Sequence, residues 1–330
     1  MVTRMKQEIE GTRWFASPYA RNFHVCAARL KPGWKVPTYP PVYVSGKGRT
    51  RRGAEQRLLG EAVERASLLT ASSQQSWTCV DPVSGNRHEI DPALYYGDDR
   101  PLSSHGTATH NIAREAKYRA LLELCERRAI EDWWKGSTPT QWLPQTTCDR
   151  LNITPLVARL RGQAPLARRT RFLFLTAPPG SYVIGALGSD LSGRQLAIGF
   201  AADTNPFAAL YGALEELLSV ELETADLVRG QIDGDKIEPG TNRDRASRLQ
   251  RRLQKFFSDT PPQDHDIDDV ILPSGFARDP QFLGRGLEDG GVPVFLTDLT
   301  SPRIGVPTWR AMFRNPRHAP FRSGSDHAPL

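Results

Sequence analysis

Two stretches of this sequence carry the same word of charged residues. Leu58-Leu-Gly-Glu61-Ala-Val-Glu64-Arg65 and Leu121-Leu-Glu123-Leu-Cys-Glu126-Arg127 both set Glu-x-x-Glu-Arg behind a pair of leucines. Residues three and four apart are neighbours on one helix face, so Glu61, Glu64 and Arg65 share a face, as do Glu123, Glu126 and Arg127. Glu115 precedes Glu123 by about two turns on a similar face. If the two helices pack together, four or five carboxylates converge, and that many like charges do not stay ionised in a cleft without compensation. A hard divalent cation with oxygen ligands compensates them, and Mg2+ normally also takes substrate phosphates. The arginines would then face phosphate oxygens. The competing reading is two solvated helices whose Glu–Arg pairs contribute little. Either word alone fits that reading better, whereas the repeat in matching leucine contexts makes the site an equal contender. No Gly-x-x-x-x-Gly-Lys-Ser/Thr loop is present and Gly46-Lys-Gly is too short to be one, so a nucleotide site here is built from helix side chains.

The elements that would position these groups follow from periodicity. Leu58, Leu59, Ala62, Val63, Ala66 and Leu69 recur at helical spacing, which predicts an amphipathic helix over 53–70. A second helix runs from Ile112 to about Trp134, with Asn111 as N-cap and Gly136 and Pro139 ending it. Alternating residues predict strands at 172–176, 182–187 and 195–200, with a turn at 189–194, and another at 292–300. Pro206 opens a third helix to about Leu227. Residues 1–44 read as an irregular segment because prolines break any helix there. Residues 71–104 read as turn-rich with a short strand near 77–80. The least structured stretch is 230–265, with one short helix at 245–257 whose apolar content is thin. The expected class is α/β or α+β.

Composition narrows the field. The chain has 330 residues, 39% hydrophobic and 24% charged, with a net charge of +6, which is ordinary for a globular protein. Only 8 of its 43 basic residues are lysines. Arginine suits planar recognition of phosphate and carboxylate, but no aromatic-plus-basic motif points to RNA, so no nucleic-acid partner is expected. No apolar run approaches the roughly 20 residues that cross a bilayer. The start lacks the apolar core of a secretory signal. Four scattered cysteines form neither a disulfide framework nor a Cys-x-x-Cys zinc pair, so a reducing cytoplasm is expected. His105 and His110 flank a small-residue loop and read as structural. Cys125 reads as a packed thiol, and Trp133-Trp134 as a core cap.

Four stretches resemble the YcaO-type ATP-dependent enzymes that activate backbone amides. They are Ser45-Gly-Lys-Gly-Arg-Thr with Leu59-Gly-Glu-Ala-Val-Glu-Arg; Ser104-His-Gly-Thr-Ala with Glu115-Ala, Ala120-Leu-Leu-Glu-Leu-Cys-Glu-Arg-Arg-Ala and Trp133-Trp; Gly199-Phe-Ala-Ala with Ala209-Leu-Tyr-Gly-Ala-Leu-Glu-Glu; and Asp298-Leu-Thr with Gly305-Val-Pro-Thr. The resemblance spans about residues 40–312. It implies mixed sheets with packed acidic helices, a catalytic domain over 45–312 and a flexible tail at 313–330. It implies that Glu61, Glu64, Glu123 and Glu126 hold Mg2+ at the ATP phosphates, and that Arg65 and Arg127 sit by the nucleotide or orient those carboxylates. Glu115 would serve the nucleotide pocket, Glu216 would be the acid of the third helix with Glu215 as the rival choice, and Lys47 would be a phosphate-edge cation.

The implied chemistry is thiazoline or oxazoline formation from Cys, Ser or Thr of a ribosomal precursor peptide, by phosphorylation of the amide oxygen. The C-terminal carboxylate of Leu330 is the candidate base. The implied partners are the precursor peptide, a separate E1-like leader-binding protein and a flavin-dependent dehydrogenase in a hetero-oligomeric complex. Two departures stand out: Arg57 where the family often has serine, and Gly212 where it has arginine. They favour the alternatives, which are a thioamide- or amidine-forming enzyme or a non-catalytic scaffold subunit.

Overall fold

The chain's first third builds a sheet where the prolines suggested irregular backbone. A computed structural model describes residues 2–34, 42–72, 74–96, 104–232, 242–259 and 278–316. Within 1–44 it holds α1 (Val2–Lys6), β1 (Ile9–Ala16) and β2 (His24–Leu30), which correct the irregular reading. Proline breaks regular backbone, but the described prolines here, Pro18 and Pro32, fall outside β1 and β2 and leave both strands uninterrupted. β3 (Tyr43–Gly48) completes an antiparallel sheet ordered β1-β2-β3. Its residues alternate between buried and accessible, which turns Val44, Gly46 and Gly48 inward and leaves Ser45 and Lys47 reachable. The inward glycines let α2 (Arg51–Ala71) press onto the strand: a Cβ on Gly46 would lie 2.0 Å from Ala54 O and 2.4 Å from Leu58 N. Thr50 caps α2 by accepting from Gly53 N at 3.0 Å.

The next elements are β4 (Trp77–Val80), β5 (Arg87–Ile90), α3 (Ala93–Tyr96), β6 (Thr107–Thr109) and α4 (Ala113–Trp134). The cap of α4 is Ile112 rather than Asn111. Its backbone is extended and it makes no side-chain capping bond, so helical geometry begins one residue later than the Asn cap required. Then come β7 (Gln141–Trp142), α5 (Gln145–Arg150), α6 (Ile153–Arg161), β8 (Arg169–Leu175), β9 (Tyr182–Ser189), β10 (Ala197–Asp203) and α7 (Pro206–Ile232). The described chain closes with α8 (Asn242–Asp259), α9 (Pro280–Asp289), β11 (Val294–Asp298) and β12 (Thr308–Phe313).

Two further sheets are ordered β10-β9-β8-β7 and β5-β4-β11-β12-β6. Every described strand pair is antiparallel, so the class is α+β. α4 packs against β12, β6 and β10, and α7 against β9 and β10. That approach needs small residues: a Cβ on Gly199 would sit 2.1 Å from Leu217 N, and one on Gly212 2.8 Å from Ala201 Cβ.

The apolar content of α8 is better placed than its composition implied. Leu253 is buried, Phe256 stacks on Trp134 at 5.1 Å, and Phe257 stacks on Trp142 at 5.9 Å. Trp133 lies fully inside this aromatic cluster. α7 also buries Glu221 completely between Arg161 and Arg168, each at 2.9 Å. Among the described residues no helix is long and apolar enough to cross a membrane.

Candidate active site

α2, α4, α7 and the accessible edge of β3 enclose one acidic cleft. From α2, Glu61 accepts from the Ser45 amide at 2.7 Å and from the Ser45 hydroxyl at 3.2 Å, so β3 aims that carboxylate. Glu64 accepts from the Thr109 amide at 3.1 Å, which fixes it to β6. From α4, Arg127 pairs with Glu123 at 3.7 Å and Glu126 at 3.6 Å, while Arg65 pairs with Glu61 at 3.7 Å. Both repeated words therefore face the same space with their arginines lying along their own carboxylates.

The electrostatics record crowding. Burial, then the charges of Glu123 and Glu61, push the Glu64 carboxyl up to about 8, against the pull of the Thr109 amide and Arg65. Burial raises Glu123 to about 7; Arg127, the Gly106 amide and Arg310 oppose it, and Glu126 adds to it. Glu126 is also raised by burial, against Arg127, Lys47 and the Ala202 amide. An added cation would lower carboxyls raised in this way. Arg127 is buried among them: its Nε and Nη1 make no hydrogen bond among the described residues, and Nη1 reaches Glu126 only as the 3.6 Å ion pair. Oxygen ligands suit Mg2+, and guanidinium donors without a hydrogen bond suit phosphate oxygens, so the residues fit a Mg–nucleotide group. Among the described residues no three His, Cys, Asp or Glu side chains close a metal cage by themselves. Mg2+ ordinarily takes one or two carboxylates and completes its shell with water and phosphate.

The family model described as YcaO cyclodehydratase, ATP- and Mg2+-binding, matches residues 92–313. The chain belongs to the YcaO family. Solved structures share the fold of this YcaO chain. A YcaO from Methanopyrus kandleri bound with AMPPCP and Mg2+ aligns with a TM-score of 0.64 at 21% identity, over 93% of this chain and 86% of that one. A heterocyclase in complex with substrate and cofactor aligns with a TM-score of 0.69 at 16% identity, over 94% of this chain and 51% of that one. The E. coli microcin synthetase McbBCD complex gives 0.58 at 13% identity, over 92% and 87%. No curated protein sequence matches the chain.

The remaining expected site residues of this YcaO protein fall as follows. Lys47 reaches Glu216 on α7 and forms an ion pair with it. Of the two adjacent acids, Glu216 faces Lys47, while Glu215 is buried, accepting from Tyr211 Oη at 2.6 Å and pairing with Arg57 at 2.5 Å. Burial and Arg57 lower the Lys47 ammonium to about 8 despite Glu61, Glu223 and Glu215. Glu115 stands apart in the first turn of α4, with Arg278 at 3.9 Å. Leu330 lies outside the described residues. His110 Nδ1 accepts from the Ile112 amide at 3.2 Å, a loop-fastening role. His105 lies close enough to Arg127, Arg310 and Arg65 that burial and those charges lower it to about 3. Cys125 is a buried thiol raised to about 12 by burial.

Three contributors had not been singled out, and Arg57 had been noted only as a departure. Ser45 and Thr109 act through backbone amides, which side-chain patterns do not reveal. Glu223 is raised by burial and by Glu61 and lowered by Lys47, so it borders the same cleft. It follows Glu216 by seven residues, two helical turns on one face, and that signal was readable. Arg57 and its bond to Glu215 join α2 to α7.

Proposed function

We propose that this YcaO protein uses MgATP to activate backbone amides of a ribosomal precursor peptide, forming thiazoline or oxazoline rings from Cys, Ser or Thr. The observation that carries the reading is the crowding of Glu64, Glu123 and Glu126 in one cleft around a buried Arg127 that meets its carboxylates only as long ion pairs. Glu61, Glu64, Glu123 and Glu126 are the proposed Mg2+ ligands, and Ser45 and Thr109 hold two of them in register. Arg127 donates to phosphate oxygens, Arg65 orients Glu61, and Lys47 meets the phosphate edge with Glu216 steering it. Glu115 is proposed to border the nucleotide pocket.

In this reaction the peptide's thiol or hydroxyl loses its proton and bonds to the preceding carbonyl carbon. Bound MgATP then supplies the γ-phosphoryl group that the resulting oxyanion takes, releasing ADP. The amide nitrogen then gives up its proton to solvent and expels phosphate as the C=N bond forms, so the peptide has lost one water. The chain's share is positional and electrostatic: its cations and carboxylates align the phosphates with the adduct. The proposed setting is cytoplasmic, in a complex with an E1-like leader-binding protein and a flavin-dependent dehydrogenase.

Co-expression with a Cys/Ser/Thr-rich precursor, followed by mass spectrometry, tests the product. Loss of one water per modified residue supports azoline formation. A gain matching exchange of oxygen for sulfur assigns thioamide chemistry instead, and an unmodified peptide with no ATP turnover assigns a scaffold.

A further inference from the structure

The seam between the acidic cleft and the third helix draws all its described cations from one side. β3 and the start of α2, with the turn between them, contribute Lys47, Arg49 and Arg57. Facing them, α7 contributes Tyr211, Glu215 and Glu216. Arg57 Nη1 donates to the main-chain carbonyl of Lys47 at 2.9 Å and pairs with Glu215 Oε2 at 2.5 Å. Glu215 is only 5% exposed and takes its other bond from Tyr211 Oη, while Arg49 lies over the Tyr211 ring at 4.9 Å. The Lys47 ammonium pairs with Glu216, the residue next to Glu215. At Gly212, α7 offers no side chain of its own, being closed against Ala201. A single guanidinium thus grips the backbone of one proposed nucleotide-binding residue and the neighbour of another.

We propose that Arg57 is a positioning residue of the nucleotide site: through the Lys47 carbonyl it fixes β3 against α7, so that the Lys47 ammonium points into the cleft. The proposal rests on the reading of the cleft as a MgATP site. Arg57 has a second, purely structural duty, since Glu215 would otherwise be a buried carboxylate with only a phenol for company. The two duties separate by experiment. Arg57→Ala removes both. Adding Glu215→Gln removes the stranded charge but leaves the Lys47 carbonyl unheld.

The test uses the full chain, calorimetric titration with AMPPCP and Mg2+, and thermal melting without ligand. Arg57→Ala lowers Tm and weakens binding about tenfold, the scale of one charge-assisted hydrogen bond. The Arg57→Ala/Glu215→Gln pair regains most of the Tm and keeps the weakened binding. Adding Lys47→Ala to that pair costs less affinity than Lys47→Ala costs alone, because the ammonium is already misdirected. Binding that returns to the wild-type value together with Tm in the double variant overturns the role and leaves Arg57 a countercharge. A wild-type protein that binds no AMPPCP with Mg2+ overturns the reading of the cleft itself.

Discussion

The amide of Thr109 donates to Glu64 Oε1 at 3.1 Å, joining the edge strand β6 to the carboxylate that burial and its neighbours raise to about 8. Thr109 in turn sits opposite Thr308 of β12, so the sheet itself holds Glu64 in a place where its charge is costly. Under the proposed reading, a fold that holds an acid against its own preference is arranged for a divalent cation.

That arrangement predicts how the metal-free protein responds to pH. Glu64 keeps its proton to about 8 and Glu123 to about 7, whereas the unfolded chain releases both near 4.5. Between those values the folded state binds more protons than the unfolded state, so stability falls as pH rises through the window. Melting of chelator-treated protein should give a lower Tm at about pH 9 than at about pH 5, and Glu64→Gln should flatten the fall. A variant with the wild-type slope contradicts the assignment. Mg2+ with AMPPCP should recover more stability at the alkaline end, where the ligands are already ionised.

Lys47 gives the opposite signature in binding. Its ammonium is lowered to about 8 by burial and Arg57, so its charge is present below that pH and lost above it. Its share of the affinity for AMPPCP with Mg2+ should decline through about pH 8. Lys47→Arg, which stays charged, should remove that decline. Equal pH profiles for the two proteins rule out Lys47 as a phosphate-edge cation.

Much of this was legible before any coordinates. The helices carrying Glu61, Glu64, Glu123 and Glu126 follow from leucine periodicity, and α2 and α4 occupy nearly the expected ranges. Strand β4 falls at Trp77–Val80, where a short strand was expected. What was not legible is held by backbone or by distant pairing. β1 and β2 are stabilised by cross-strand bonds that local composition does not announce. Ser45 and Thr109 serve through amides. Phe256 and Phe257 looked sparse on α8 until Trp134 and Trp142 supplied their partners. The Asn111 cap failed because a capping residue type is no guarantee of the dihedral angles that capping needs.

Gly46→Ala should damage both fold and site. The added Cβ would meet Ala54 O at 2.0 Å and Leu58 N at 2.4 Å, backbone atoms that cannot swing aside. β3 would have to lift from α2, at about 1–3 kcal/mol of stability, and carry Ser45 and Lys47 away from Glu61 and Glu216. Chemical denaturation together with AMPPCP titration reads both effects. Loss of stability with unaltered binding contradicts the claim that β3 positions the site.

Glu221→Gln should do the reverse. It strands Arg161 and Arg168 in the interior, costing about 3–5 kcal/mol. Its partners lie on α6 and the 162–168 connection rather than in the cleft, so nucleotide affinity measured on the folded fraction should not change. A urea midpoint within error of the wild type contradicts the structural role.

The central claim is that the two repeated acidic words form one Mg–nucleotide site, and the direct measurement is calorimetric titration of the metal-free full chain with AMPPCP, with and without Mg2+, in wild type, Glu64→Gln and Glu126→Gln. The account predicts Mg2+-dependent binding by the wild type and a loss of at least about 100-fold in each variant, beyond what disturbing an outer-shell partner of a metal ligand ordinarily costs. Wild-type affinity in either variant, or binding indifferent to Mg2+, contradicts it.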